Sequence, residues 1–91
     1  MPAESKIKEK IITFINDNFI KETGIAIKDD TSFLDEGIID STGVLELVAY
    51  IEITFEIKIE DEEIIPDNLD SVKKLINFVR AKLENKSQLS A

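Results

Sequence analysis

The stretch DEGIIDSTGVLELVAYIE, residues 35–52, places a serine at the start of an apolar helical pattern. Ser41 follows Asp40 and precedes Thr42 and Gly43. Beyond it, apolar residues recur every three or four positions, which predicts a helix that begins at the serine. A serine in that place can cap the helix, and it can equally be the attachment point of another group.

The composition excludes several classes of function. The chain has 91 residues, enough for one small domain but not for a deep cleft between two lobes. It contains no cysteine and no histidine, so disulfides, thiolate sites and the commonest metal ligand are all absent. We therefore predict that the protein is not an enzyme and holds no metal. No apolar run approaches the roughly 18 residues of a membrane helix, and MPAESKIKEK has no apolar signal core, so we expect a soluble, cytoplasmic chain without membrane insertion.

The negative charge is concentrated in the middle of the chain. The net charge is −8, and residues 29–70 hold fourteen acids against one lysine, whereas residues 1–28 and 71–91 each hold five basic residues. Nucleic acid phosphates would be repelled by this acidic segment, so no nucleic acid partner is expected. The segment favours partner proteins with basic patches, attracted over long range. The acids can also serve only to keep a small domain in solution.

Apolar periodicity predicts an all-α fold, a four-helix bundle with three long helices and a short third one. The first helix is expected from about residue 4 to 22, and the second from Ser41 to about Glu56. Their core-facing residues are expected to be Ile7, Ile11, Ile12, Ile15, Phe19, Val44, Leu47, Val48, Ile51 and Phe55. The exposed face of the second helix is expected to comprise Ser41, Leu45, Ala49, Glu52 and Glu56.

Two connections are expected around the second helix. IAIKDDTSFLDEGIID, residues 25–40, is rich in turn formers and predicts a long ordered loop between the first two helices. Its anchors are expected to be Phe33, Leu34, Ile38 and Ile39. IEITFEIKIED, residues 51–61, alternates as a strand would, but the helical period continues to Phe55. We interpret it as the end of the helix running into a short connection.

The remaining chain predicts the short third helix and a last long one. The acids of EDEEIIP suit the first turns of a short helix, which Pro66 is expected to end. Asp70 or Asn68 is expected to cap the last helix. The core-facing residues of that helix are expected to be Val72, Leu75, Ile76, Val79 and Leu83. The domain is predicted to span residues 1–84, with a flexible C-terminal tail at 85–91.

The surroundings of Ser41 suit a phosphate ester. The first turn of a helix carries unpaired N–H groups and the positive end of the dipole. Asp40 can cap that turn, and we hypothesise that Asp35 and Glu36 help to hold a divalent cation that bridges to an incoming pyrophosphate during transfer. From these residues alone, ordinary N-capping remains the favoured interpretation of Asp40 and Ser41.

A longer set of motifs changes that preference. These are Phe-Leu-Asp-Glu-Gly at 33–37, Asp40-Ser41, Val-Leu-Glu-Leu-Val at 44–48, Phe55, Ile-Glu-Asp-Glu-Glu at 59–63 and a last helix starting near Ser71-Val72. In order and spacing the chain resembles the acyl carrier protein family over nearly its whole length. The resemblance implies a 4'-phosphopantetheine arm, taken from coenzyme A, on Ser41 beside Asp40. The arm's thiol would hold acyl or aminoacyl groups as thioesters for enzymes of fatty acid, polyketide or related biosynthesis.

The resemblance also implies partners. They are a phosphopantetheinyl transferase, a ligase that loads acyl or aminoacyl groups, and downstream synthases or transferases with basic docking patches. The docking residues it implies are Leu45, Glu46, Ala49, Glu52 and Glu56. For any one of these glutamates alone, a solvated helix face is the favoured interpretation, and only as a stripe beside Ser41 do they favour docking. The chain itself is expected to be a monomer.

Three residues depart from the family pattern. Thr42 follows the serine where leucine is usual, and Gly43 stands where many members have a charged or polar residue. We expect Gly43 to leave the backbone open to close approach by the arm or an enzyme. Tyr50 replaces a small residue of the fatty acid carriers, so storage of a long acyl chain between the helices is not expected from the family alone. These departures favour a specialised carrier, loaded by a dedicated adenylating ligase with an amino acid, hydroxy acid or unusual acyl group.

Two alternatives come from other classes. The first is a non-carrier acidic helical interaction module that binds a basic partner protein, in which Ser41 is only a cap. The second is a calcium-binding loop that begins at Asp29. It fails on spacing, because Phe33 and Leu34 occupy the positions of a ligand and of the turn glycine.

Overall fold

The computed structural model describes the backbone of residues 4–20 and 27–90, and side chains within that part up to residue 85. Its elements in chain order are α1 (Glu4–Ile15), a π-helical turn (Asn16–Ile20), α2 (Ser41–Phe55), a 3-10 turn (Asp61–Glu63), α3 (Pro66–Leu69) and α4 (Val72–Ser90). The predicted all-α fold, with three long helices, a short third helix and a long loop before α2, is confirmed. None of the described helices is long and apolar enough to cross a membrane.

The three long helices meet in one core. α1 contributes Ile7, Ile11 and Ile15, which are completely buried. The buried residues of the other two helices include Leu47, Val48, Ile51, Phe55, Val72, Leu75, Ile76, Val79 and Leu83. All of these are predicted core positions. Burying each such side chain stabilises the fold by about 1.5–3 kcal/mol, so the three stripes hold the bundle together.

The second half of the first helix differs from the prediction. The regular helix ends at Ile15, and the π turn replaces the rest of the helix expected to reach residue 22, whose last two residues lie outside the described part. A π turn holds one residue more than an α turn, so the core position moves along the chain by one. Ile20 is therefore buried, whereas Phe19 is only partly buried. Ile12, also predicted for the core, lies at its margin.

The loop before α2 is tied to the segment between α3 and α4 through Asp70. Its carboxylate accepts hydrogen bonds from the Ser32 hydroxyl and, at 2.9 Å, from the backbone N–H of Leu34. The backbone carbonyl of Asp70 accepts the N–H of Phe33 at 2.9 Å. The buried anchors are Phe33, Ile38 and Ile39, as predicted. Leu34 is 48% exposed, because in this turn its neighbour Phe33 takes the place that faces the core.

The connection after α2 is extended. Ile57 and Ile59 are buried, while Lys58 and Glu60 between and after them are exposed. Side chains that alternate in this way are typical of extended backbone. The alternating sequence therefore includes the end of the helix and a short connection, as interpreted.

Pro66 begins the third helix instead of ending it. The acids predicted to form that helix make only the 3-10 turn, and Pro66 is the first residue of α3. Proline suits this position, since its φ is already helical and its missing N–H needs no partner there. Ser71 caps α4: its hydroxyl oxygen accepts the N–H of Lys74 at 3.1 Å. The predicted caps are wrong because Asp70 serves the loop and Asn68 donates its side-chain amide to the 3-10 turn.

The last helix extends past residue 84, where the domain was predicted to end. The backbone of α4 is helical as far as Ser90. The predicted boundary between a domain over residues 1–84 and a flexible tail over 85–91 stays a prediction.

An ion pair ties the 3-10 turn to α4. Lys82 Nζ lies 2.7 Å from Glu63 Oε1, and both side chains are mostly buried, at 21% and 27% exposed. The same oxygen accepts the backbone N–H of Glu60 at 2.9 Å, and the carbonyl of Glu63 accepts the amide of Asn68 at 2.9 Å. The hydrogen bond from Lys82 holds the pKa of Glu63 below its ordinary value.

We expect Lys82→Met to destabilise the protein near neutral pH and to lose this effect in acid. A carboxyl whose pKa is lowered by folding stabilises the fold above its unfolded pKa, here 4.5, and this stabilisation is lost as the pH falls through the lower folded value. Urea unfolding should show a loss of about 0.5–1 kcal/mol near pH 7 that shrinks toward about pH 3. Lys58→Met is the control, because Lys58 is 81% exposed and its pair with Glu60 is long at 3.9 Å. An equal loss at both pH values would contradict the role of the ion pair.

Candidate attachment site at the start of helix α2

Asp40, and not Ser41, caps the helix that the serine begins. Asp40 is extended, with φ −94° and ψ −177°, and its Oδ1 accepts the N–H of Gly43 at 2.7 Å. Its carbonyl accepts the N–H of Val44 at 2.9 Å, which closes the first turn. Ser41 is exposed, and its hydroxyl has no hydrogen-bond partner among the described residues. The hydroxyl is therefore available for reaction.

The first turn of α2 gives this hydroxyl a favourable electrostatic setting. The helix has 15 residues, and its dipole places positive potential at the end where Ser41 lies. Backbone N–H groups of the first turn other than the one bound to Asp40 can face an anion. A phosphate ester on Ser41 fits this setting.

The acids near Ser41 do not form a ready-made metal site. Across the described residues, no group of three or more His, Cys, Asp or Glu side chains could hold a metal ion. Asp35 and Glu36 are exposed, and one oxygen of Asp40 is used by the helix cap. The hypothesis that these acids help to hold a divalent cation during attachment of the arm stays a prediction. It requires the pyrophosphate of the incoming donor to supply the further ligands.

An apolar cleft of about 320 Å³ opens beside Ser41. It is lined by Phe33, Leu34, Ile39, Ser41, Val44, Leu45, Leu47, Ile64, Ile65, Pro66, Leu69 and Asp70. The large side chains most exposed around it are Leu34, Leu45 and Ile65, at 48%, 61% and 42%. The cleft lies between α2, the preceding loop and the segment tied down by Glu63. Its lining suits an apolar group held near Ser41.

Gly43 does not leave the backbone open, contrary to the expectation. A Cβ atom at this position would lie 2.8 Å from Cε1 of Phe19 and 3.0 Å from Cγ2 of Ile39. These distances are shorter than a normal carbon contact, so the protein's own side chains already occupy the space. The residue is small because of internal packing.

Tyr50 lies on the α1 side of α2. Its ring stacks on Phe14 with 4.1 Å between the ring centroids, and its hydroxyl donates to the carbonyl of Lys10 at 3.2 Å. It is not part of the cleft lining. The departure from the family pattern at Tyr50 therefore leaves the cleft beside Ser41 open.

The exposed face of α2 includes four of the five docking residues implied by the resemblance, and Glu52 is the exception. Leu45, Glu46, Ala49 and Glu56 are exposed, as that set requires. Glu52 is partly buried, and its carboxylate accepts the N–H of Ile59 at 2.9 Å. Its carboxylate thus holds the chain after the helix.

Ile53 was missed by the sequence analysis. Its side chain is 79% exposed, more than any other large apolar side chain that the structure describes. It follows Leu45 and Ala49 at spacings of four, so the three form one row along the helix. The row could have been found from this spacing.

Comparisons with known proteins agree with this geometry. Residues 14–79 match the family described as "Phosphopantetheine attachment site". The chain is 34% identical over 74 residues to a D-alanyl carrier protein of Streptococcus uberis, covering 81% of this chain and 91% of the relative. It is 35% identical over 80 residues to an acyl carrier protein of Buchnera aphidicola, covering 88% and 92%.

A solved structure shares the fold. The crystal structure of an acyl carrier protein from Thermotoga maritima superposes with a TM-score of 0.62 at 32% identity, covering 87% of this chain and 93% of that one. The predicted cofactor is confirmed, since the matching family is defined by phosphopantetheine attachment. The predicted lack of enzymatic activity agrees with the same family. The chain therefore belongs to the phosphopantetheine-binding carrier proteins, together with acyl carrier proteins and D-alanyl carrier proteins.

Proposed function

We propose that this protein carries acyl or aminoacyl groups on a 4'-phosphopantetheine arm attached to Ser41, and presents them to partner enzymes of fatty acid, polyketide or related biosynthesis. The observation that carries the proposal is the division of roles at the start of α2. Asp40 satisfies the helix end, with its Oδ1 2.7 Å from the N–H of Gly43. The hydroxyl of Ser41 is left exposed and without a partner among the described residues.

The attachment step is a phosphoryl transfer that needs a separate transferase. The Ser41 oxygen bonds to the phosphorus that carries the pantetheine of coenzyme A, and the bond from that phosphorus to adenosine 3',5'-bisphosphate breaks. The hydroxyl proton is proposed to pass to a base of the transferase. When bound, the arm supplies the thiol that a chain without cysteine lacks.

The cleft favours an acyl cargo over an aminoacyl one. Its lining is almost entirely apolar, and among the described residues that line it Asp70 is the single acid. That carboxylate already accepts hydrogen bonds from Ser32 and Leu34. An ammonium group entering the cleft would lose water without gaining a free acid, which is costly. An alkyl chain would lose only unfavourable contact with water.

A surface on α2 is proposed to dock the partner enzymes. It comprises Leu45, Glu46, Ala49, Ile53 and Glu56, and we call it the docking surface. All five residues are exposed, and α2 contains no basic residue. Two apolar side chains with acids beside them suit a partner that offers an apolar pocket within a basic patch. Charge then guides the encounter, while the apolar contacts hold it.

A monomeric state and a cytoplasmic location remain expectations. The alternative, a non-carrier acidic module, has no observation of its own in its favour. It predicts no modification, so the same experiment decides between the two.

Incubation of the purified protein with coenzyme A, Mg²⁺ and a broad-specificity phosphopantetheinyl transferase is expected to add one arm. Intact mass spectrometry should show one addition on the wild type and none on Ser41→Ala. Ser5→Ala is the matched control, because Ser5 is also exposed in the first turn of a long helix. An arm on Ser41→Ala, or none on the wild type, would overturn the proposal.

Charge reversal on the docking surface is expected to slow modification. Glu46→Lys should raise the KM for the transferase several-fold, and the difference from the wild type should shrink with added salt, because exposed charges are screened within about 10 Å at 0.1 M. Glu84→Lys makes the same change on the exposed face of α4 and is the control. Equal effects of the two variants would show that net charge matters and the docking surface does not.

A further inference from the structure

A row of aromatic rings connects α1 to the first turn of α2. Tyr50 stacks on Phe14, with 4.1 Å between centroids and 14° between planes. Phe14 meets Phe19 edge to face, with centroids 5.9 Å apart and planes at 72°. Phe19 in turn reaches Gly43, where its Cε1 lies 2.8 Å from the place of a Cβ atom. The row ends two residues beyond Ser41.

The π turn is what brings Phe19 to this position. The buried residues Ile7, Ile11 and Ile15 follow one another at spacings of four, so a regular helix would bury residue 19 next. The π turn buries Ile20 instead, at 4% exposed. Phe19 is thereby released from the core stripe and lies against α2. Single π turns of this kind are frequently found at functional sites.

Gly43 is the other half of this contact. Glycine inside a helix costs about 1 kcal/mol relative to alanine, and the backbone here does not need a positive φ. The lack of a side chain is instead required by the rings and methyl groups packed on it. The N–H of the same residue donates to Asp40, so the contact acts directly on the cap that leaves Ser41 free.

We propose that Phe19 is a positioning residue for the modification of Ser41. Packed on Gly43, its ring fixes the first turn of α2, the Asp40 cap and the direction of the serine hydroxyl. The inference rests on the proposed function, because it concerns the rate at which that hydroxyl reacts. It also relates Gly43 and Tyr50, since both lie in the contact of α2 with α1 and the π turn that follows α1.

Phe19→Ala is the first test, with the full-length apo protein and the transferase. Hydrogen exchange should show about a tenfold loss of protection at the Gly43 amide, and kcat should fall by about tenfold, since small misplacements of a reacting group have effects of this size. The KM should change less than twofold, because the docking surface is untouched. Ile12→Ala is the control: it shortens a partly buried side chain of the adjoining helix α1 and should leave all three values unchanged.

Gly43→Ala provides a second, independent test. The new methyl group meets Phe19 and should lower kcat in the same way. In the double variant with Phe19→Ala the ring is absent, so Gly43→Ala should lower kcat by a smaller factor than it does in the wild type. The contact of the new methyl group with Ile39 at 3.0 Å remains in both backgrounds. Phe19→Leu, which keeps more of the volume, should retain most of kcat.

The outcomes separate the two proposals. A wild type that acquires no arm overturns the proposed function. A wild type that is modified, with kcat and Gly43 protection unchanged in Phe19→Ala and in Phe19→Leu, overturns only the positioning role. If Phe19→Ala does not fold, Gly43→Ala decides, and a kcat for that variant equal to the wild-type value rejects the proposal.

Discussion

The hydrogen bond from the Gly43 N–H to Asp40 Oδ1, 2.7 Å long, is the constraint on which the attachment site depends. A serine at the start of a helix ordinarily satisfies an N–H of the first turn with its own hydroxyl. Here the preceding aspartate does so from an extended backbone. Ser41 therefore keeps the favourable potential of the helix end without consuming its hydroxyl. Asp40 thus takes the structural task of capping the helix, and Ser41 is left for the chemical task that we propose for it.

A second set of polar contacts holds the walls of the cleft. Asp70 binds the loop on one side through Ser32 and Leu34. Glu63 binds the segment on the other side to α4 through Lys82. A domain of this size buries too little surface to fix every loop by apolar packing alone. These partly buried contacts give the walls definite positions around an apolar space, without placing a polar side chain inside the core.

The sequence predicted well what depends on local chemistry. Asp40 lies at a cap position and the apolar residues of α2 have a clear helical period. The helix, its cap and the exposed position of Ser41 were therefore all expected. What failed depends on tertiary contacts. Nothing in the local sequence signals the π turn that exchanges Phe19 for Ile20, and the contact of Phe19 with Gly43 is tertiary. The capping of α4 by Ser71 likewise depends on a tertiary contact, because Asp70 is bound to the loop before α2. The position of Pro66 at the start of α3 was also not predicted.

Under the proposed function, helix α2 uses different arcs for the core, for the attachment of the arm and for docking. At about 100° per residue, Leu47 and Ile51 face the core, while Ala49 and Ile53 face the opposite side. Leu45 lies between these arcs and belongs to both the docking surface and the cleft lining. A partner that covers Leu45 therefore also contacts the cleft. If partners dock as we propose, Leu45 links docking to access to the cleft, and no change of fold is needed for this link.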